Sequence, residues 1–216
     1  MTPYKTLLKS AASEFIIQKS RFIGYGAPCE TEEEALAFLA SIREKHKDAT
    51  HNCYCYAIGP NMGIMRYSDD GEPGGTAGLP MIETVKKRGV TNACFVVTRY
   101  FGGILLGAGG LVRAYTRGVQ EAFTACGVGI MHPSVQCAFD VPYPMFGKIE
   151  RALESMPVCQ VEKSFAESVT VSLWVRDTDA DQLEKDLIAL SEGRIEPIRL
   201  DETYLPWTDA DDAPQA

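Results

Sequence analysis

The sequence predicts an α+β protein of two domains, and three observations carry that expectation. Cys94–Gly118 reads as a buried strand, a glycine loop and a helix. Val135–Leu200 alternates strands and helices in the order βαββαβ, a ferredoxin-like arrangement. Met131–Ser134, with His132 and Pro133, separates the two as a linker.

Glu14–Gln18 and Ser20–Ala27 are short apolar runs that meet near Lys19, Ser20 and Arg21, which predicts a hairpin. Thr31 opens a helix, because Glu34 follows a capping threonine by three residues. Its apolar stripe is Ala35, Leu36, Phe38, Leu39 and Ile42, and it closes near Lys45–Lys47, where cations suit the helix dipole. Residues 49–59 are a strand whose alternation puts His51, Cys53 and Cys55 on one face. Three zinc-ligand types stand there, but ligands two apart on a strand diverge and no second cluster completes a set of four. Buried core thiols are the favoured reading, with His51 more available at the strand's rim.

Asn61–Gly63 is a turn and Ile64–Tyr67 a returning strand. Residues 68–80, SDDGEPGGTAGLP, hold too many glycines and prolines for regular structure. Asp69 and Asp70 there bond their own backbone, the favoured reading, or join Glu72 around a divalent cation without the EF-hand order. Pro80 stands in the first turn of a second helix, which ends at Gly89.

Phe95–Thr98 is the strand of the central unit, and Arg99, Tyr100 and Phe101 follow it. The loop carries Gly102, Gly103, Gly107, Gly109 and Gly110. From Leu111 the spacing is helical, with Leu111, Tyr115, Val119, Ala122 and Cys126 on one side and Arg113 and Arg117 on another. A glycine loop feeding a helix N-terminus suits an anion. Neither familiar phosphate signature is complete: Leu111 and Val112 stand where a P-loop needs Lys-Ser/Thr, and Val112 where a dinucleotide site needs its third glycine. A loop that only closes strand against helix is the alternative.

In the second domain the strands are Val135–Val141, Cys159–Phe165, Ser168–Val175 and Arg194–Leu200, with helices at Tyr143–Met156 and Asp179–Ser191. The boundaries expected are 1–131 and 134–206, with 207–216 a flexible tail. Net charge is −8, yet Met81–Gly118 holds six Lys or Arg against one acid. Seven cysteines with no C-x-x-C pair argue for a reducing compartment, the cytosol. No run of apolar residues is long enough to span a membrane and no signal peptide is visible.

The chain resembles the Impact/YigZ family in its bacterial, two-domain branch. The resemblance rests on Lys19-Ser20-Arg21-Phe22-Ile23, His51-x-Cys53, Ser68-Asp69-Asp70-Gly71-Glu72-Pro73-x-Gly75-Thr76-Ala77-Gly78-x-Pro80 and Arg99-Tyr100-Phe101-Gly102-Gly103-x-x-Leu106-Gly107-x-Gly109-Gly110-Leu111-Val112-Arg113-Ala114-Tyr115. It implies a ribosomal protein S5 domain 2-like fold for the first domain, and a likeness of the two domains to domains IV and V of elongation factor G. The eukaryotic relatives regulate the kinase pathway that restrains translation initiation, through protein contact. The family carries no established catalytic activity, and no cofactor or metal is expected.

Three functions follow. The leading one is a non-catalytic, translation-associated protein contacting RNA or the ribosome. Lys86, Lys87, Arg88, Arg99, Arg113 and Arg117 would meet phosphates beside the glycine loop, and Tyr100, Phe101 and Tyr115 would stack on bases. The second is a regulator acting by protein contact alone, anchored at Tyr100 and Arg113. The third is an enzyme on a phosphorylated substrate, which needs His51, Asp69, Asp70 and Arg99 in one pocket. His51, Asp69, Asp70, Glu72 and Thr76 mark a loop surface of interest in each case.

Overall fold

A computed structural model describes residues 2–207, in two units: Tyr4–Gly129, and residues 2–3 with 130–207. The tail expected at 207–216 lies, after Trp207, outside the described residues.

The first unit runs β1 (Tyr4–Leu7), β2 (Ala11–Ile17), β3 (Ser20–Pro28), α1 (Glu32–Lys45), β4 (His51–Ile58), β5 (Ile64–Ser68), α2 (Gly78–Arg88), β6 (Ala93–Tyr100) and α3 (Gly107–Cys126). Strands β2, β3, β6, β4 and β5 lie side by side in that order, each antiparallel to its neighbour. Gln18 and Lys19 take φ of 44° and 65°, the two-residue turn whose twist suits a hairpin. Thr31 accepts the Glu34 N–H at 3.2 Å and so caps α1 as its sequence foretells.

Both faces of this sheet are covered, which is why its central strands read as continuous apolar runs and not as alternation. Leu39 and Ile42 of α1 pack on Tyr25, Tyr56 and Val96. On the other face Met81 and Val85 of α2, with Tyr115, Val119 and Phe123 of α3, pack on Phe22, Cys53, Phe95 and Val97.

Three features differ from the sequence reading. Strand β1 was not expected; the buried Leu7 and the bond from Thr91 N–H to the Lys5 carbonyl hold it. Strand β6 runs on past the expected Thr98 and includes Arg99 and Tyr100. Helix α3 starts at Gly107, four residues before the expected Leu111, because the buried stripe that follows outweighs the poor helix propensity of glycine.

The second unit contains β7 (Val128–Val141), α4 (Tyr143–Leu153), β8 (Val158–Phe165), β9 (Val169–Arg176), α5 (Asp177–Leu190) and β10 (Ile198–Trp207). Sheet order is β10-β7-β9-β8, antiparallel throughout, so this is the ferredoxin-like βαββαβ arrangement. Ile149, Leu153, Leu183 and Leu187 of the helices cover Cys137, Phe139, Val171 and Leu173. Residues 131–134, expected as a linker, are inside β7 and pair with Thr203–Pro206 of β10. The last strand is correspondingly later than expected. Trp207 is buried in it, its indole N–H donating to Ser134 Oγ at 3.0 Å. All seven cysteines are free thiols. Among the described residues no helix is long and apolar enough to cross a membrane.

Candidate functional site

Alternation along β6 places Phe95, Val97 and Arg99 on one face. The first two are core residues, and Arg99 continues the row at the end of the sheet with only 5% of its surface exposed. A guanidinium removed from water requires a carboxylate. Glu72, from the loop between β5 and α2, supplies it: Arg99 Nη1 donates to Oε1 at 2.7 Å. Tyr115, one turn into α3 after Leu111, donates its hydroxyl to the same oxygen at 2.6 Å. Burial, with Cys53 and Glu72 beside it, pushes this phenol well above its usual range, so it stays a donor. The guanidinium lies 5.5 Å from the Phe22 ring centre and 5.3 Å from that of Phe101.

His51, first residue of β4, sits beside this pair. Its Nδ1–H donates to the Asp70 carbonyl at 2.8 Å, and its Nε2 lies 3.8 Å from Glu72 Oε2. The loop carrying Glu72 is fixed from within. Asp69 accepts the N–H groups of Gly75, Ala77 and Gly78 at 2.8–2.9 Å. Burial raises the Asp69 carboxyl, but these three donors outweigh it and hold the group below its ordinary value. Asp70 accepts the Asn52 N–H and the Arg43 guanidinium. Thr76 donates its hydroxyl to the Pro73 carbonyl.

Above Glu72 and Arg99 opens a cavity of about 350 Å³. Its polar floor is His51, Glu72 and Arg99; its walls include Pro73, Phe101, Leu105, Leu106, Ala108 and Leu111. Phe101, Ile104 and Leu105, in the loop from β6 to α3, are exposed, Leu105 at 84%. Gly102 has no room for a side chain, because a Cβ there would stand 2.1 Å from the Lys19 carbonyl carbon. Its N–H donates to Ser20 Oγ at 3.2 Å, so the loop is held against the hairpin turn.

The outward row of arginines expected from the sequence is not what forms. Arg99 turns inward to Glu72. Tyr100 is on the opposite sheet face, its hydroxyl bonded to His46 at 2.8 Å and Asp48 at 3.2 Å. Tyr115 is fully buried and has no face for a base. Arg117 pairs with Glu121 at 2.7 Å and Lys86 with Glu83 at 2.8 Å. Arg88 lies over the Phe123 ring. Among the described residues Lys87 and Arg113 are exposed and form no ion pair. Gly103 and Gly107 take positive φ, while Gly109 and Gly110 fall in the first turn of α3, which no side chain caps. Of the four groups an enzyme was expected to bring together, His51 and Arg99 line the cavity and Asp69 and Asp70 do not. Among the described residues no cluster of three His, Cys, Asp or Glu is placed to hold a metal ion.

Sequence reasoning gave Glu72 too small a part and missed Ser20, Leu105 and Leu106. The signal for the buried pair was present in the alternation that puts Arg99 in line with Phe95 and Val97.

Comparison with known proteins agrees with this architecture. Residues 18–123 match the Impact N-terminal domain, and residues 139–194 match a domain of unknown function, DUF1949. The chain is similar to the IMPACT family member YvyE of Bacillus subtilis, 40% identical over 94% of this chain and 93% of that protein. It is similar to the IMPACT family member in pol 5'region of Thermus thermophilus, 43% identical over 73% of this chain and 85% of the relative. A crystal structure described as that of a hypothetical protein matches at a TM-score of 0.60 and 31% identity, over 93% of this chain and 98% of the other.

Proposed function

The chain belongs to the Impact family, in the two-domain form of its bacterial relatives, and on that premise we propose that it is a non-catalytic, translation-associated binding protein that works by protein contact. The single observation that carries this reading is the exposed apolar loop Phe101, Ile104 and Leu105, beside arginines already engaged within the molecule. Apolar side chains in the open favour a protein surface over a phosphate backbone. The S5 domain 2-like identity of the first domain and the likeness to elongation factor G belong to the same reading and rest on the sequence resemblance. Seven free thiols support a cytosolic location.

RNA contact is the second reading, favoured by Lys87, Arg88 and Arg113, which are exposed and fall in the sequence's basic stretch. Capture from an RNase-treated lysate on the wild-type chain and on Leu105→Asp separates the two. A protein retained after RNase by the wild type and lost by Leu105→Asp is the expected result. Loss of all capture on RNase treatment, with a salt slope of roughly −0.7 for each phosphate contacted, would overturn it in favour of RNA.

A further inference from the structure

With the imidazole of His51 neutral, two hydrogen-bond acceptors face each other on the floor of the cavity. The Nδ1–H of His51 is spent on the Asp70 carbonyl, which in the neutral ring leaves Nε2 with a lone pair. Across 3.8 Å stands Glu72 Oε2. The other carboxylate oxygen, Oε1, already receives Arg99 and Tyr115. Among the described residues no hydrogen bond reaches Oε2.

That spacing selects the group that fits between them. A nitrogen placed about 2.9 Å from each acceptor would see the two about 82° apart. A tetrahedral ammonium offers hydrogens about 109° apart, so each N–H would point about 14° off its acceptor and the N–H···acceptor angle would be about 159°, within good geometry. A hydroxyl carries one hydrogen and leaves one acceptor unmet. Arg99 already matches the charge of Glu72 at Oε1, so the ammonium would be held by its two hydrogen bonds and not by an unpaired carboxylate. Above this floor, which Arg99 and Thr50 share, the walls are apolar: Phe101, Leu105, Leu106 and Leu111. The geometry points to a binding site for a primary amine on an apolar body, its nitrogen between His51 Nε2 and Glu72 Oε2. This goes beyond protein contact at the exposed loop and does not depend on it. A free aliphatic or aromatic amine has this chemistry, and so does the amino end of a peptide that begins with an apolar residue.

The test is NMR titration of the full chain with 2-phenylethylamine, 2-phenylethanol, and a Leu-initiated tripeptide with its amino end free or acetylated. Phenylethylamine is expected to shift His51 and Leu106 resonances and to bind at least about tenfold tighter than phenylethanol, since a buried acceptor left unmet is costly. Binding by the free but not the acetylated tripeptide assigns the site to a peptide's amino end; binding by the small amine alone assigns it to a free amine. Ala108→Phe, which fills the cavity from an exposed position in α3 without touching the polar floor, is expected to abolish both. Equal affinity for alcohol and amine, no binding of either, or unchanged amine affinity in Ala108→Phe would each overturn the assignment. Loss of the protein partner under RNase leaves it untouched.

Discussion

Replacing Glu72 by alanine removes the counterion of a guanidinium that has 5% of its surface exposed, and the acceptor of the Tyr115 hydroxyl. Breaking a buried pair from one side costs about 3–5 kcal/mol. Orphaning a buried hydroxyl costs about 1–3 kcal/mol more, but both groups share one oxygen and relax together, so the two do not add in full. The expected loss is about 4 kcal/mol, a large part of an ordinary domain's stability. With a urea slope of about 2 kcal/mol per molar, the midpoint should fall by about 2 M. Tyrosine emission is weighted to the first unit, which holds seven of the nine tyrosines, while Trp174 and Trp207 both lie in the second and report that unit separately. Arg99→Met added to Glu72→Ala should recover most of the loss, because an apolar side chain of similar length needs no counterion. A fall below about 1 kcal/mol, or a double variant no better than the single, would show that the pair is not the desolvated centre described above.

Two further outcomes are expected. Gly24→Ala should destabilise by at least about 2 kcal/mol, because its Cβ would stand 2.3 Å from the Gly118 carbonyl oxygen and force β3 and α3 apart. Gly74→Ala, with nothing within 4 Å, should stay within about 0.5 kcal/mol; equal urea midpoints for the two variants would refute the close approach. Asp69 has a folded carboxyl held below 3.8, so its stabilisation is full above that value and is lost as pH falls through the folded one. Thermal melts from about pH 7 to about pH 2.5 should therefore show Asp69→Asn less stable near neutrality and converging on wild type in acid. A gap that persists undiminished at the acid end contradicts the three-donor account.

The second unit was legible because β7 and β9 bury alternate residues and each helix one stripe, so period announces element type. Its edges were not, since His132-Pro133 looks like punctuation although β10 continues alongside it. Strand β1 is four residues long, Tyr-Lys-Thr-Leu with only the last two buried, too short for any period to show. In the first unit, Thr31 with Glu34, the hairpin turn and Gly89 were readable because each acts over a few residues. The site was half readable. Period two along β6 indicates which way Arg99 points, but which acid meets it depends on a contact 27 residues away in the chain. Arg117 and Lys86 looked free on a helix face because their partners, Glu121 and Glu83, are surface residues whose pairing leaves no pattern beyond their own spacing.

The carboxylate of Asp69 sits where glycine-rich turns elsewhere receive a phosphate: on the amides at the start of a helix, here Ala77 and Gly78 of α2. This protein thus brings its own anion to that position. The segment bearing Glu72 reaches its bound shape without help from outside, and whatever docks above it meets a surface whose ordering entropy was spent when the chain folded. Affinity there should owe nothing to ordering of the loop, and a visiting phosphate would find that seat taken.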